Sequence, residues 1–383
     1  MREDSKGLRR LEYFDVESLP ELPKSVEALY LDRCRMERLP AQLPASLTKL
    51  DISGCHELKS LPEKLPAGLR ELTLTHCPRI QTVPELPPSL TKLNLFFCNR
   101  LKSLPELPAT LIQLSIVSGH ALKSLPELRS GLIQLDLGCD GLRSLPALPE
   151  SLTELRLKGI FTTMPEFTTM PELKRLDLSY SSRLQSLPVL PSSLEVMNLC
   201  NCKGLTSLPE LPSGLVELDI SVCSSLTHLP ALPASITKLD LRWCDRLRIL
   251  PELPASLTKL DVSGTGLESL PALPASLTWL DVSCTDLESL PALPASLTGL
   301  DVSWTLLEGL PALPASLTWL NLSSCYELTK LPALPASLSY LDLDECPAQK
   351  NLQAAPPNCR VLVRHSEMGS DTYLDENGRL RKT

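Results

Sequence analysis

The sequence has few aromatic residues, few histidines and less basic than acidic charge. Aromatic residues make up 4% of the 383 residues, histidine occurs 5 times, and the formal net charge is -8. Nucleic-acid-binding proteins usually present a basic face that neutralises phosphates, so this charge balance indicates that nucleic acid is not a partner. A chain of this length with so few large rings indicates one small unit used many times rather than several different cores.

Long hydrophobic runs are missing as well. The first ten residues, MREDSKGLRR, are charged and contain no apolar segment of the kind that a Sec signal peptide requires. Every apolar run is too short to span a bilayer. The sequence therefore predicts a soluble chain without a Sec signal and without a membrane span.

No arrangement of residues indicates catalysis or a cofactor. The five histidines are scattered along the chain, and none stands in a Ser/His/Asp or Cys/His arrangement. A Gly-rich phosphate loop is missing. Cys200 and Cys202 form a Cys-x-Cys pair, but one of them is expected in the core, which disfavours zinc binding. We predict no catalytic residues, no metal and no cofactor.

The sequence does contain a repeat. The tripeptide leucine-any-leucine, with occasional Ile, Val or Met replacements, recurs every 20 to 22 residues. The first apolar residues of the copies are Leu29, Leu50, Leu72, Leu93, Leu114, Leu135, Leu155, Leu176, Met197, Leu218, Leu239, Leu260, Leu280, Leu300, Leu320, Leu341 and Val361. This spacing predicts a repeat protein over nearly the whole chain.

Each repeat predicts the same short structure. In SLTKLDVSGTGLESLPALPA, apolar and polar residues alternate around Leu260 and Val262, which predicts a short strand with its leucines inward. The following Leu-Pro-Ala-Leu-Pro segment cannot be helical, because proline lacks a donor and keeps the preceding residue extended. We predict an α/β-type leucine-rich-repeat solenoid with little helix. A parallel β-sheet forms its concave face, and its convex side is extended and polyproline-like.

The repeats define three segments and one irregularity. Residues 1–18 form an N-terminal segment that serves as a partial cap or an export signal, residues 19–363 form about 16 repeats, and residues 364–383 form a tail. In the tail, Asn377-Gly378 predicts the turn of a hairpin. Between residues 159 and 172, the near duplicate in GIFTTMPEFTTMPE predicts a local distortion. A hinge or recognition loop is the alternative there.

Thirteen cysteines are an odd number, and nine of them recur at one position of the repeat. Three shorter repeats have threonine there instead. The nine are Cys34, Cys55, Cys77, Cys98, Cys202, Cys223, Cys244, Cys325 and Cys346. Periodic placement favours buried packing thiols over disulfides, metal ligands or nucleophiles, and it fits a reducing cytosol.

The repeat units resemble a known family. LPALPASLTWLDVSCTDLESLP and LPELPASLTKLDVSGTGLESLP are similar to the LPX-type leucine-rich repeats of bacterial type III effectors, the family of the YopM-like and IpaH-like repeat regions. The resemblance covers roughly residues 19–346. It implies a curved scaffold that engages host proteins inside the infected cell.

Two departures from this family leave alternatives open. The repeats of this family usually carry asparagine where this chain has cysteine or threonine. The cysteine-containing repeat of this chain also resembles the repeats of plant intracellular immune receptors. IpaH-like members carry a C-terminal ligase domain whose catalytic cysteine is followed by aspartate, whereas Cys359 is followed by Arg360. The resemblance therefore favours a repeat-only scaffold. The alternatives are the substrate-recognition region of a longer E3 ubiquitin ligase and a repeat fragment of an intracellular immune receptor.

A column of aspartates is expected on the concave, solvent-facing side of the sheet, because alternate residues of a strand share a face. The column lies between the two inward leucines. It contains Asp51, Asp136, Asp177, Asp219, Asp240, Asp261, Asp281, Asp301 and Asp342. Stacked like charges repel, and a basic partner segment would relieve the repulsion. The alternative is a solvated face on which aspartate serves turn or neighbour hydrogen bonds.

The column just before the first leucine changes along the chain from lysine to large rings. It contains Lys49, Lys92, Lys238 and Lys259 and then Trp279, Gly299, Trp319 and Tyr340. With strands about 4.8 Å apart, Trp279 and Trp319 are expected about 10 Å apart, with a slot over Gly299 that the two indoles wall. The alternative is that the rings stack on each other or on the lysines and cover the sheet.

Other rings extend this candidate surface. Trp243 and Trp304 lie one turn further along their repeats, and Phe96 with Phe97 forms a smaller patch near the N-terminal end. Tryptophan is enriched among the residues that dominate interface energies. We therefore predict that these rings bind the partner together with the three adjacent carboxylates of Asp261, Asp281 and Asp301.

The function predicted from the sequence is a non-enzymatic, protein-binding scaffold. We expect a secreted bacterial effector that engages host proteins, one of them with a basic segment, on its concave face. It would leave the bacterial cytoplasm without a Sec signal and act in the host cell cytoplasm.

Overall fold

A computed structural model describes residues 2–3, 9–142, 144–159, 164–352, 355–357, 359–363, 372–374 and 380–382. The chain divides into two compact units. The first unit comprises residues 1–160 and 165–178, and the second comprises residues 161–164 and 179–383. Within the described ranges, no helix is long and apolar enough to cross a membrane.

The first unit contains one strand per repeat. Its strands are β1 Arg2–Glu3, β2 Arg9–Phe14, β3 Ala28–Asp32, β4 Lys49–Ser53, β5 Glu71–Thr75, β6 Lys92–Phe96, β7 Gln113–Val117, β8 Gln134–Gly138, β9 Glu154–Leu157 and β10 Arg175–Asp177. From β2 to β10, each strand pairs in parallel with the next, whereas β1 is antiparallel to β2. Because β2 pairs with β3, a parallel strand already precedes residue 19.

The second unit continues the pattern with shorter strands. They are β11 Val196–Asn198, β12 Glu217–Asp219, β13 Lys238–Asp240, β14 Lys259–Asp261, β15 Trp279–Asp281, β16 Gly299–Asp301, β17 Trp319–Asn321, β18 Tyr340–Asp342, β19 Arg360–Val363, β20 Thr372–Leu374 and β21 Leu380–Lys382. Strands β11 to β19 are parallel. Strands β20 and β21 form an antiparallel hairpin, while the predicted turn at Asn377-Gly378 lies outside the described residues.

The register aligns the leucines of successive repeats. Leu260 is opposite Leu280, which is opposite Leu300, and all three have no exposed surface. Helical structure in the described part of the chain is limited to 3-10 turns at Phe167–Thr169 and Pro347–Asn351. The leucine-rich-repeat solenoid predicted from the spacing, with parallel strands and little helix, is confirmed.

The PASLT segment, which recurs in several repeats of this sequence, forms hydrogen bonds to the preceding repeat. The carbonyl of Pro254 accepts the N–H of Leu257 at 3.0 Å, which closes a turn before the strand. The hydroxyl of Ser256 donates to the carbonyl of Ile236 at 2.6 Å, and the Thr258 hydroxyl donates to the carbonyl of Thr237 at 2.9 Å. Both acceptors belong to the preceding repeat, so each repeat is tied to its neighbour on both sides of the leucine core. The alternation of apolar and polar residues did not indicate this role.

The periodic cysteines are packed in the interior. The nine that the repeat aligns are at most 2% exposed, and Cys139 joins them. Burial raises the pKa of the Cys77 thiol to about 12 and that of Cys98 to about 11. Such thiols stay protonated at neutral pH, and a protonated thiol is a poor nucleophile and metal ligand. The prediction of packing thiols is confirmed for all nine.

The irregular segment contributes to the core of the first unit. Phe167 and Met170 are fully buried. The carbonyl of Met170 accepts the N–H of Leu173 at 3.2 Å, the turn bond that Pro254 makes with Leu257 in a regular repeat. A 3-10 turn at Phe167–Thr169 precedes it and is a local distortion of the kind the duplication predicts. Residues 160–163 of the first copy lie outside the described residues.

Candidate partner-binding face

The aspartate column of the second unit forms what we call the acidic stripe: Asp219, Asp240, Asp261, Asp281, Asp301, Asn321 and Asp342. Most members accept hydrogen bonds from their own repeat. Oδ1 of Asp301 accepts the N–H of Ser303 at 2.9 Å and its hydroxyl at 2.6 Å. Asn321 accepts the N–H of Ser323 in the same way at 3.0 Å. The turn hydrogen bonding given as an alternative in the sequence analysis is therefore present, and it uses mainly Oδ1.

Burial raises the pKa values of two carboxyl groups in the acidic stripe. Loss of water around the carboxyl raises the pKa of Asp281 to about 6, and the neighbouring charges of Asp301 and Asp261 act in the same direction. The hydrogen bonds from Ser283 oppose this rise without cancelling it. Burial also raises the pKa of Asp261 above its usual value. The middle of the stripe would gain from a cation that replaces the lost water.

One end of the stripe has its own cation. Nη2 of Arg242 lies 2.7 Å from Oδ2 of Asp240, and its Nε lies 3.5 Å from Oδ2 of Asp261. At the other end, Nδ2 of Asn321 donates to Oδ2 of Asp301 at 3.0 Å. Among the described residues, Asp281 takes part in no ion pair. Its charge is therefore not offset by an ion pair, whereas that of Asp240 is offset by Arg242.

Beside the stripe, three rings form what we call the aromatic stack: Trp279, Trp319 and Tyr340. The ring centroids of Trp279 and Trp319 are 5.0 Å apart, and those of Trp319 and Tyr340 are 5.6 Å apart at an interplanar angle of 5°. The hydroxyl of Tyr340 donates to Oδ2 of Asp342 at 3.2 Å. These aromatic residues are half-buried.

The predicted slot over Gly299 is closed, so that expectation was wrong. Gly299 is buried, and a Cβ added to it would overlap the ring of Trp279. The indole of Trp279 leans across the glycine into the space that a side chain would otherwise fill, and so reaches Trp319. Stacking, the alternative in the sequence analysis, is what the structure has. Gly299 serves the face by leaving room for Trp279.

The two other tryptophans lie outside the aromatic stack. Trp243 and Trp304 follow the strand ends at positive φ of 58° and 56°, and their side chains are 52% and 58% exposed. The N–H of Trp243 donates to the carbonyl of Ser263 at 2.8 Å, a bond that recurs along the unit and holds this backbone geometry. Trp304 contacts Tyr326 edge-on, a partner that the sequence analysis missed.

Phe96 and Phe97 belong to the first unit. Phe96 ends β6 and is half-buried, and Phe97 follows it at a positive φ of 57° with 41% of its surface exposed. The Phe97 ring stacks on His76 at 4.4 Å between centroids. The structure thus places these two rings in the first unit and the stack and the stripe in the second unit.

The lysines next to the stack differ in their contacts. Lys238 pairs with Glu217 at 2.6 Å. Lys259 is the strand neighbour of Trp279 and is exposed. A recess of about 650 Å³ beside the stack is lined by both lysines and by Trp279 and Asp261. Within the described residues, no group of three His, Cys, Asp or Glu side chains is placed to hold a metal ion.

Comparison with solved structures places this solenoid in a family. YopM from Yersinia enterocolitica is 32% identical, with 92% of this chain and 82% of that chain covered and a TM-score of 0.68. The chain belongs to the family of YopM-like leucine-rich-repeat effectors. YopM from Yersinia pestis, a leucine-rich effector protein, is 35% identical over 82% of each chain, with a TM-score of 0.64.

The family fixes the general role of the solenoid. A leucine-rich-repeat protein from Leptospira interrogans, 18% identical with a TM-score of 0.52 over 92% of this chain and 95% of that chain, shares the fold alone. No protein-family model and no curated protein sequence matches. Its similarity to YopM and its leucine-rich-repeat fold indicate a protein-binding scaffold.

Proposed function

We propose that this YopM-like protein binds a host protein on the sheet face of its second unit, through the aromatic stack and the acidic stripe, and acts by that binding without catalysis. The observation that carries the proposal is the contiguity of three stacked rings with the carboxylates of Asp261, Asp281 and Asp301. The rings supply the apolar contact that dominates interface energies, and the carboxylates favour a partner with a positively charged segment.

The composition of the face supports this assignment. Interface centres are rich in Trp and Tyr, and the stack places both in one group on an otherwise leucine-dominated protein with 4 tryptophans. Stacked rings also lose little conformational entropy on binding, because each already has its orientation fixed by a neighbour. The stack is preorganised for contact.

Affinity capture from eukaryotic cytosol tests the proposal. The wild-type chain is compared with a Trp279→Ala/Trp319→Ala variant, and the retained proteins are quantified by mass spectrometry. A matched control is Trp243→Ala/Trp304→Ala, which removes the same two side chains from positions outside the stack. A partner retained by wild type and by the control, and lost from the stack variant, supports the proposal. Equal retention by all three proteins contradicts it.

Export belongs to the same proposal and has a separate test. The chain would be secreted by a type III system from the bacterial cytoplasm into the host cell cytoplasm, and support comes from its similarity to YopM. Expression in matched bacterial strains with and without a working type III apparatus should give protein in the culture medium of the first strain alone. Equal amounts in both media would refute this route.

A further inference from the structure

The repeats that carry the binding face have an unbalanced charge. From residue 260 to residue 329 the sequence contains no lysine, arginine or histidine. The same segment contains eight acidic residues: Asp261, Glu268, Asp281, Asp286, Glu288, Asp301, Glu308 and Glu327. Lys259 precedes this block and Lys330 follows it. Apart from Arg242, whose Nε lies 3.5 Å from Oδ2 of Asp261, the chain supplies little positive charge there, so a positively charged partner is favoured.

The carboxylates of the stripe are arranged in a row with a fixed step. Asp261, Asp281 and Asp301 are direct neighbours in the parallel register. Parallel strands are about 4.8 Å apart, so the row from first to third spans about 10 Å. Cationic groups that meet all three must follow the same step along a line that crosses the strands.

An α-helix provides this step and an extended chain does not. Residues three apart on a helix face are separated by about 4.5 Å along the axis, and residues seven apart by about 10.5 Å. In an extended chain, residues on one face are about 6.7 Å apart, so three of them span about 13 Å. Three basic residues at positions i, i+3 and i+7 of a helix match the row closely.

The width of the face also fits a helix. The aromatic stack and the acidic stripe occupy alternate positions of the same strands, as in Trp279 and Asp281, so they lie about 7 Å apart on one face. A helix with its side chains is about 10 Å wide and covers both. Because Trp279 closes the space over Gly299, the stack offers a continuous apolar surface rather than a slot for a single side chain.

We propose that the partner segment is a basic amphipathic α-helix that lies across the strands of the second unit. Its cationic side chains, spaced three and four residues apart, meet the carboxylates of Asp261, Asp281 and Asp301. Its apolar side packs on Trp279, Trp319 and Tyr340. This inference rests on the proposed function and specifies the chemistry and shape of the partner.

Synthetic peptides test the shape requirement directly. The first peptide carries lysines at i, i+3 and i+7 with leucines on the adjacent side of the helix and alanines elsewhere. The second has the same composition with lysines at i, i+2 and i+4, and the third has a proline in the middle of the first. Fluorescence anisotropy of the labelled peptides with the full chain should give binding at least about tenfold tighter for the first peptide.

Protein variants test the charge requirement. Asp281→Asn/Asp301→Asn removes two charges and keeps the turn, because Asn321 already makes the same backbone hydrogen bond at 3.0 Å. We expect about tenfold weaker binding of the first peptide. Asp51→Asn/Asp136→Asn removes two half-buried carboxylates from the first unit and should change binding less than about twofold.

Every other pattern of results overturns the inference. Equal binding of all three peptides would show general attraction to an acidic protein, and tighter binding of the second or third would show an extended partner. Failure of the first peptide to bind excludes the basic helix. The Asp281→Asn/Asp301→Asn variant in the capture experiment separates the two proposals: a partner that depends on the stack but not on these carboxylates leaves the binding function standing and refutes the helix.

Discussion

The two units of the molecule use the same leucine core and end their strands differently. Strands β3 to β8 of the first unit are five residues long, whereas β11 to β18 of the second unit are three. In both units the core leucines are fully buried, as Leu50 and Leu260 illustrate. The two units differ instead in the hydrogen bonds made by the residue between the two leucines.

Side-chain oxygens at that position compete for backbone donors in the second unit. Oδ1 of Asp219 accepts the N–H of Ser221 at 2.9 Å, so that donor does not extend the ladder. In the first unit, Nδ2 of Asn94 donates to Oγ1 of Thr73 instead, and pairing continues to Thr75 opposite Phe96. The residue type alone does not set the strand length, because Asp51 in β4 and Asp136 in β8 stand at the same position of five-residue strands.

The cysteine thiols respond to the same change. In the second unit, Sγ of Cys244 approaches the carbonyl of Ile220 to 3.1 Å, whereas in the first unit Sγ of Cys55 is 3.9 Å from the carbonyl of Leu31. Where the ladder ends early, the freed carbonyl accepts the thiol. Cys139 of the first unit is an exception, because its Sγ lies 3.3 Å from the carbonyl of Ile116 although the ladder continues there.

The largest expected effect tests whether the two units share one kind of core. Leu50→Ala and Leu260→Ala should each lower the free energy of unfolding by about 2 to 5 kcal/mol, because each leaves a cavity at a fully buried position. Urea unfolding monitored by circular dichroism measures both. A loss below about 1 kcal/mol at either position would show that its repeat is not tightly packed.

A smaller change in the free energy of unfolding should distinguish the two units at the residue between the two leucines. Asp219→Ala should cost about 1 to 2 kcal/mol, because the N–H of Ser221 loses its acceptor. Asp219→Asn keeps the acceptor and is the control, with a cost near zero. Asp51→Ala in the first unit should be neutral or slightly stabilising, since burial raises the pKa of Asp51. Equal costs for Asp219→Ala and Asp51→Ala in urea unfolding would contradict the turn role.

The pH dependence of stability isolates Asp281. An unfolded aspartate has a pKa near 3.9, and burial raises the pKa of Asp281 to about 6 in the folded chain. The folded chain binds this proton more tightly than the unfolded chain does. Asp281 therefore lowers the free energy of unfolding at pH 7, and this loss of stability disappears as the pH falls from 6 to 4. Asp281→Asn should raise the free energy of unfolding at pH 7 by about 1 kcal/mol.

The reference for this prediction is the wild-type chain. Thermal unfolding from pH 4 to pH 7 should show a flatter profile for Asp281→Asn than for wild type. A destabilised Asp281→Asn chain at pH 7 would mean that the carboxylate has a cation near it.

The smallest effect on stability concerns the thiols. Cys284 is exposed, whereas Cys77 and Cys244 are buried and their pKa values are raised to about 12. Iodoacetamide treatment of the folded chain should label Cys284 first and leave the unfolding midpoint within about 1 °C. Peptide mapping identifies the labelled sites. Labelling of Cys77 or Cys244 before unfolding would show that these repeats open.

The leucine spacing predicted the strand positions, because the core positions of each repeat are set by local alternation. Strand length was not predictable from spacing, because it depends on whether the middle side chain bonds to its own backbone two residues later, as Asp219 and Asp301 do. Residue type alone does not signal this bond, since Asp51-x-Ser53 lies in the five-residue strand β4.

The candidate site was predicted in its residues and not in its geometry. The repeat alignment predicted Trp279, Trp319 and Tyr340 on one face of the sheet. The spacing of the strands alone, however, predicted an open gap between the two tryptophan side chains. Indole rings are long enough to lean over a neighbouring strand, and Gly299 leaves that space free. Trp243 and Trp304 were grouped with the stack because their backbone turn at positive φ was not foreseen.

Hydroxyl-radical footprinting of the chain with a captured host partner tests the binding face most directly. Mass spectrometry compares oxidation of each ring in the free and bound states. We predict protection of Trp279, Trp319 and Tyr340 on binding, with Trp304 and Phe97 oxidised equally in both states. Unchanged oxidation of the three stacked rings, with protection at other positions, would contradict the assignment of the second unit's sheet face as the partner-binding surface.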